Sequence, residues 1–428
     1  MSSDAISRIL DGIPIPPMAR IRQHLPEETL PDVAAAARTA MDREVLRKKI
    51  RPGMRVAITA GSRGIFGMKD MLREAAAFVR SCGGDPFLIP AMGSHGGATA
   101  DGQRDVLTRY GITEETVGAP IRATMETVKI GELPDSTPVY IDRYAAEADG
   151  IILVNRIKCH TGFRGRYESG LFKMMAIGLG KQYGAQTVHG RGADKMGESI
   201  ELFGKAILQN ANVLLGLAVI ENAIDMPYQI VALTPQEIID QEPDYLTLAR
   251  QLMPRILFDN LDVVIVDYFG KEISGAGVDP NVTHTYKYAS GIPLDGRARQ
   301  VAVLDLTEQS HGNAHGVGVM DLITKRFFDK IDPDITYANS LTTGGTEVPK
   351  IPMYLPNQRM CIQAAIHCAQ GADREKLRMV RIRDTMHLKE IQVSPALLEE
   401  ARGNPAFDIL EEPTPLVFDS QGDLFPSE

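Results

Sequence analysis

The sequence predicts an α/β protein of two domains, the first a mostly parallel sheet with flanking helices and the second a smaller α/β domain. Three observations carry this. Short apolar runs alternate with amphipathic stretches of helical spacing, the joints between them are rich in glycine, and 428 residues exceed what one compact core normally holds. At 44% hydrophobic and 24% charged the composition is globular, and the 39 glycines and 26 prolines are spread along the chain as turns, which excludes disordered and collagen-like architectures.

Residues 1–50 read as a helical or extended lead-in, because Pro14, Pro16 and Pro17 enforce extended backbone ahead of the amphipathic stretch 32–49. Residues 54–59 then form a strand, 60–64 a turn, and 68–80 a helix with Met71, Leu72, Ala75, Phe78 and Val79 at helical spacing. The unit repeats: strand 86–90, a glycine-rich loop 91–97, and helix 99–110 with Asp101 near its start. Residues 139–142 give a third strand, followed by a short helix and the strongly apolar strand 150–154. The apolar runs 213–220 and 229–233 complete the first domain, and 235–260 reads as helical. A second set begins with strands 262–267 and 300–306 and helix-like stretches 318–331 and 359–369. The first domain is therefore expected over residues 1–260 and the second over 261–428. The second would close over the site, with the proline-bearing tail after Ser394 packing back on the first domain.

A net charge of −9 disfavours broad attraction to nucleic acid or to an anionic membrane and favours a small ligand. The four cysteines, Cys82, Cys159, Cys361 and Cys368, form no CxxC pair, which argues against a disulfide scaffold and a zinc knuckle. Residues 1–12 hold no apolar targeting segment, and the apolar run 213–220 is too short to span a bilayer, so a cytoplasmic protein is expected.

In open parallel sheets ligands bind beyond the carboxyl ends of the strands. That singles out three loops, 61–64, 93–97 and 155–165. His95 lies in the second with glycine close on both sides, which lets a ligand approach its ring; the alternative is a turn histidine beside a helix start. His160 follows the strongest strand, where Asn155, Arg156 and Lys158 also crowd the strand end. Lys173 sits in an apolar run, where burial would lower its pKa and expose a nucleophilic amine unless the side chain snorkels outward. His189 comes sixteen positions later, and Gly178, Gly180 and Gly184 offer the break that would return it towards the same pocket. Arg63, Lys158, Arg164 and Lys181 could neutralise a phosphate or carboxylate. Neither a P-loop nor a GxGxxG fingerprint is present, and neither HExxH nor a cysteine cluster. Any metal would therefore take most of its ligands from an organic cofactor.

The ordered set Arg63, His95, His160, Lys173 and His189 resembles the nickel-pincer-nucleotide-dependent lactate racemase family of 2-hydroxy-acid racemases and epimerases, over most of the chain. The resemblance implies an isomerase that inverts C2 by proton-coupled hydride transfer to the nickel-pincer nucleotide, through a 2-keto acid. It implies His95 and His160 as alternating acid and base, Lys173 as tether of the pyridinium mononucleotide, His189 as the nickel ligand, Ser62 and Arg63 at the cofactor, and Arg63 at the substrate. Lys271, in a glycine-rich stretch of the second domain, is the candidate for a further substrate-contacting lysine. Cofactor-biosynthesis proteins would load the cofactor. The lactate enzymes carry an acidic residue three positions before the loop arginine and a proline after it, where this chain has Ala60 and Gly64; its Gly170, Leu171, Phe172, Lys173 run also departs from their Gly-Gly-Arg-Lys. Both the substrate and covalent attachment through Lys173 therefore stay open. The rival readings are a non-enzymatic binder of the nucleotide or of an acidic metabolite, a nicotinamide-dependent 2-hydroxy-acid dehydrogenase, and a zinc hydrolase.

Overall fold

The computed structural model describes residues 4–62, 64–285 and 298–424. Two compact units emerge, one of Pro26–Met253 and one that joins Met1–Leu25 to Pro254–Glu428. The sequence counted the lead-in with the first domain. Strand β1 (Met18–Gln23) instead pairs antiparallel with two strands near the end of the chain, so its backbone bonds are satisfied in the other unit.

The Pro26–Met253 unit is built on a five-stranded sheet of β2 (Arg55–Ala60), β3 (Asp85–Pro90), β6 (Gly150–Arg156), β7 (Val213–Glu221) and β8 (Pro227–Leu233), while β4 (Thr127–Glu132) and β5 (Pro138–Asp142) form a separate antiparallel pair. The sheet order is β3-β2-β6-β7-β8, with the first four strands parallel and β8 antiparallel. Alternate residues of β2 enter opposite cores, Val56 and Ile58 on one face and Ala57 on the other. That two-sided burial is why its strands read as continuous apolar runs. Helix Met68–Ser81 lays Met71, Leu72, Ala75 and Val79 into the first of these cores. Thr99 caps helix Ala100–Arg109 through Gly102 N, and Thr234 with Glu237 forms a reciprocal cap that starts helix Pro235–Leu252. The strand expected at 139–142 is found, but in the separate pair with β4, which the sequence reading did not separate from its loop.

The other unit holds an eight-stranded sheet in the order β12-β11-β10-β9-β13-β14-β1-β15, made of β9 (Val263–Phe269), β10 (Gln300–Leu306), β11 (Leu322–Thr324), β12 (Met353–Leu355), β13 (Met379–Ile382), β14 (Glu390–Val393) and β15 (Phe407–Thr414) with β1. Strands β9 to β13 are mutually parallel. The helical stretch expected at 318–331 is broken by β11. Its Leu322 and Ile323 take ladder positions between β10 and β12, and only Lys325–Asp329 is α-helical. The tail after Ser394 forms helix Pro395–Ala401 and then β15, which pairs with β1 within this unit.

Candidate active site

In the five-stranded sheet the chain runs from β2 outward to β3 and then crosses to β6 on the other side of β2. The reversal lies between β2 and β6, and the carboxyl ends of strands at such a reversal are where ligands bind in open α/β sheets. Three loops leave those ends. The β2 loop holds Ser62, whose carbonyl accepts a hydrogen bond from Tyr110 Oη at 3.3 Å. Arg63 lies outside the described residues.

His95 ends the β3 loop, exposed, with its N–H bonded to Met92 O at 3.1 Å. The loop is pinned to the segment that carries Lys173: Gly93 N donates to Gly178 O at 3.3 Å. A Cβ on Gly178 would stand 2.6 Å from Ala91 O, so only glycine permits this approach.

The β6 loop folds back on itself through paired backbone bonds between Lys158 and Ser169, 2.9 and 3.1 Å. That return brings the Glu168 carboxylate, its side chain without exposure, beneath His160. Glu168 Oε2 accepts from His160 N at 2.7 Å, and its two oxygens meet Arg164 at 3.4 Å and Arg250 at 3.2 Å. Arg164 also donates to His160 O at 2.7 Å. His160 Nδ1 accepts from Gly162 N at 2.9 Å, and its ring stacks on Phe163 with centroids 4.1 Å apart. With Nδ1 accepting, the neutral ring carries its hydrogen on Nε2, which is the nitrogen free to meet a ligand. Burial, then the charge of Lys173, then Arg164, hold the His160 pKa well below the usual imidazole value, so the ring is neutral at pH 7.

Lys173 closes a short helix, Leu171–Lys173, that runs into a π-helical turn, Met174–Leu179. Such turns interrupt helices mostly at functional positions. The break comes at Gly180 and Lys181, where Lys181 adopts a left-handed φ of 53°, and helix Lys181–His189 then begins. His189 ends that helix with an exposed face. Partial burial, and then the charge of Lys173, lower its pKa. The charge of Lys173 thus bears on both His160 and His189.

A deprotonated imidazole nitrogen beside an amine suits a metal-bearing organic cofactor, because a histidine ligand must be unprotonated and the amine can hold or tether the organic part. Among the described residues no group of three or more His, Cys, Asp or Glu is placed to hold a metal ion.

Two of the cations offered as anion binders have other work. Lys181 is fully buried against Asp142, and Arg164 is committed to Glu168 and the His160 carbonyl. Lys271 belongs to the other unit. It follows β9, at the point where that sheet's order reverses between β9 and β13, and its ammonium donates to the carbonyls of Gly275 and His315. The sequence reading missed Glu168, Gln103, Asp142 and Glu242 altogether. None of the four is flanked by apolar residues on both sides, so the sequence alone offered no signal of their burial.

Residues 19–201 match the lactate racemase N-terminal domain family. No curated protein matches the sequence. The structure of the lactate racemase apoprotein from Thermoanaerobacterium thermosaccharolyticum is similar, with a TM-score of 0.47 and 11% identity over 86% of this chain and 89% of that one. Among the described residues no helix is long and apolar enough to cross a membrane.

Proposed function

Since residues 19–201 match the lactate racemase N-terminal domain family, we propose that this protein is an isomerase that inverts C2 of a 2-hydroxy acid, with a nickel-pincer nucleotide as its cofactor. The observation that carries the reading is the convergence on Lys173: its charge lowers the pKa of both His160 and His189, while its π-helical segment binds the loop that ends in His95. Lys173 and His189 are the residues that would hold the cofactor, Lys173 through its amine and His189 as nickel ligand, with Ser62 and Arg63 at its edge. When bound, the cofactor supplies a hydride acceptor and donor.

The chain's own residues do the proton work. The C2–H bond of a 2-hydroxy carboxylate is hardly acidic, because the carboxylate already carries charge, so the hydroxyl must lose its proton as C2 loses hydride. His160, held neutral, takes that proton from one stereoisomer at Nε2 in the tautomer that carries its own proton on Nδ1, which requires the Gly162 N–H bond to Nδ1 to open, and a 2-keto acid remains. His95 stands for the other, since the two hydroxyls point in different directions and each needs a base within hydrogen-bond reach. Arg63 is the cation proposed for the substrate carboxylate, with Lys271 as a second. Cofactor-biosynthesis proteins are the partners this chemistry requires.

Protein purified from a host that makes the cofactor tests the binding half. The reading expects about one nickel per chain in the wild type and a loss of nickel in His189→Ala, with intact mass reporting whether Lys173 carries the nucleotide. Nickel content unchanged in His189→Ala would remove that residue from the metal.

A further inference from the structure

A buried polar relay ties the His95 loop to the segment of Lys173 and His189. Lys181 lies midway between those two residues in sequence, and its side chain has no exposure. Its ammonium donates to Pro90 O at 2.6 Å and to Gln103 Oε1 at 2.7 Å, and stands 3.2 Å from Asp142 Oδ2. Asp142 is itself fixed, because its Oδ1 accepts from Tyr144 N at 2.7 Å and Ala145 N at 3.1 Å. Gln103 passes the constraint on. Its Nε2 donates to Gly93 O at 2.8 Å and to His95 O at 3.2 Å.

Four separate stretches therefore meet on one ammonium: the end of β3, strand β5, helix Ala100–Arg109 and the break after the π-helical turn. An ion pair without solvent is a poor way to gain stability, since apolar residues of similar volume fill such a site as well or better. An apolar residue could not satisfy Pro90 O or hold the Gln103 amide with its N–H groups turned to the loop. Lys181 also occupies a left-handed backbone conformation that favours glycine, and strain of this kind gathers where function requires a fixed geometry. What the pair contributes is direction.

We infer that Lys181, anchored by Asp142 and acting through Gln103, is a positioning residue that sets the His95 loop against the Lys173–His189 segment. The inference rests on the acid–base role proposed for His95. Gln103→Glu separates the two links: it keeps an oxygen for the Lys181 ammonium and loses the donor to Gly93 O and His95 O. Lys181→Met removes the whole relay at nearly constant volume.

The test uses the full chain with ¹³C-labelled histidine, its His95 signal identified by its loss in His95→Ala. In folded Gln103→Glu the His95 resonance and its titration shift while those of His160 stay in place. In the cofactor-loaded enzyme kcat falls about 100-fold with KM nearly unchanged, the cost of a misplacement of about 1 Å. Lys181→Met gives the same pattern; if it does not fold, Gln103→Glu decides alone. A folded Gln103→Glu with the wild-type His95 resonance overturns the inference, as does a Lys181→Met that only lowers the melting temperature. If the loaded wild type inverts no 2-hydroxy acid, the proposed function fails, and the His95 resonance still decides whether Lys181 positions the loop.

Discussion

His160 shows how much of a site one residue's surroundings can determine. Its backbone N–H and carbonyl are held by Glu168 and Arg164, its Nδ1 by Gly162 N, and its charge state by burial and by Lys173. His160→Ala and His95→Ala should each lower interconversion by about 10²- to 10⁴-fold, the usual weight of a positioned acid or base, with nickel content retained. A chiral assay beside metal analysis checks both. Glu168→Gln should cost about 1–3 kcal/mol in urea unfolding, because it leaves Arg164 and Arg250 facing a neutral amide. Both histidines were legible in the sequence, since each follows a strand in a glycine-bearing loop. Glu168 was not. Its place under His160 depends on the Lys158–Ser169 backbone pairing, which no periodicity announces.

The helix that carries Lys173 begins on another buried carboxyl. Glu242, 1% exposed, accepts from Phe172 N at 3.2 Å, and a Cβ on Gly170 would strike its Oε1. Burial raises its pKa from 4.5 to about 8. The folded chain therefore holds a proton between those values that the unfolded chain has released. This contribution to stability is complete below about pH 4.5 and is lost as pH rises towards about 8, by at most about 5 kcal/mol. Glu242→Gln, which keeps an oxygen for Phe172 N, should flatten that slope in urea unfolding measured at about pH 5 and about pH 8; an unchanged slope would show that Glu242 titrates normally. At this scale the sequence disclosed most strands and long helices through their apolar periods. It concealed β4, whose pattern is only half buried, and β11, which is three residues long and takes its strand form from β10 and β12.

Across the whole molecule, the two sheets differ in how local they are. The Pro26–Met253 sheet grows from neighbouring strand-loop-helix repeats, so its strands were legible along the chain, whereas their order, which crosses from β3 past β2 to β6, was not. The other sheet takes β1 from the start of the chain and places it between β14 and β15. Pairing of such distant segments leaves no mark on either one. Ile21 in β1 is fully buried, and Ile21→Ala should destabilise the unit it joins by about 2–5 kcal/mol, read as a loss of protection from hydrogen exchange in β14 and β15.

The central claim concerns inversion at C2, and a chiral assay of the nickel-cofactor-loaded protein over a panel of single-enantiomer 2-hydroxy acids addresses it directly. The account predicts that at least one acid is converted to its mirror form or epimer from either side, without added nicotinamide, and that conversion is lost in both His95→Ala and His160→Ala. Fully loaded protein that leaves every member of the panel unchanged, or that converts one only with consumption of a nicotinamide cofactor, would contradict it.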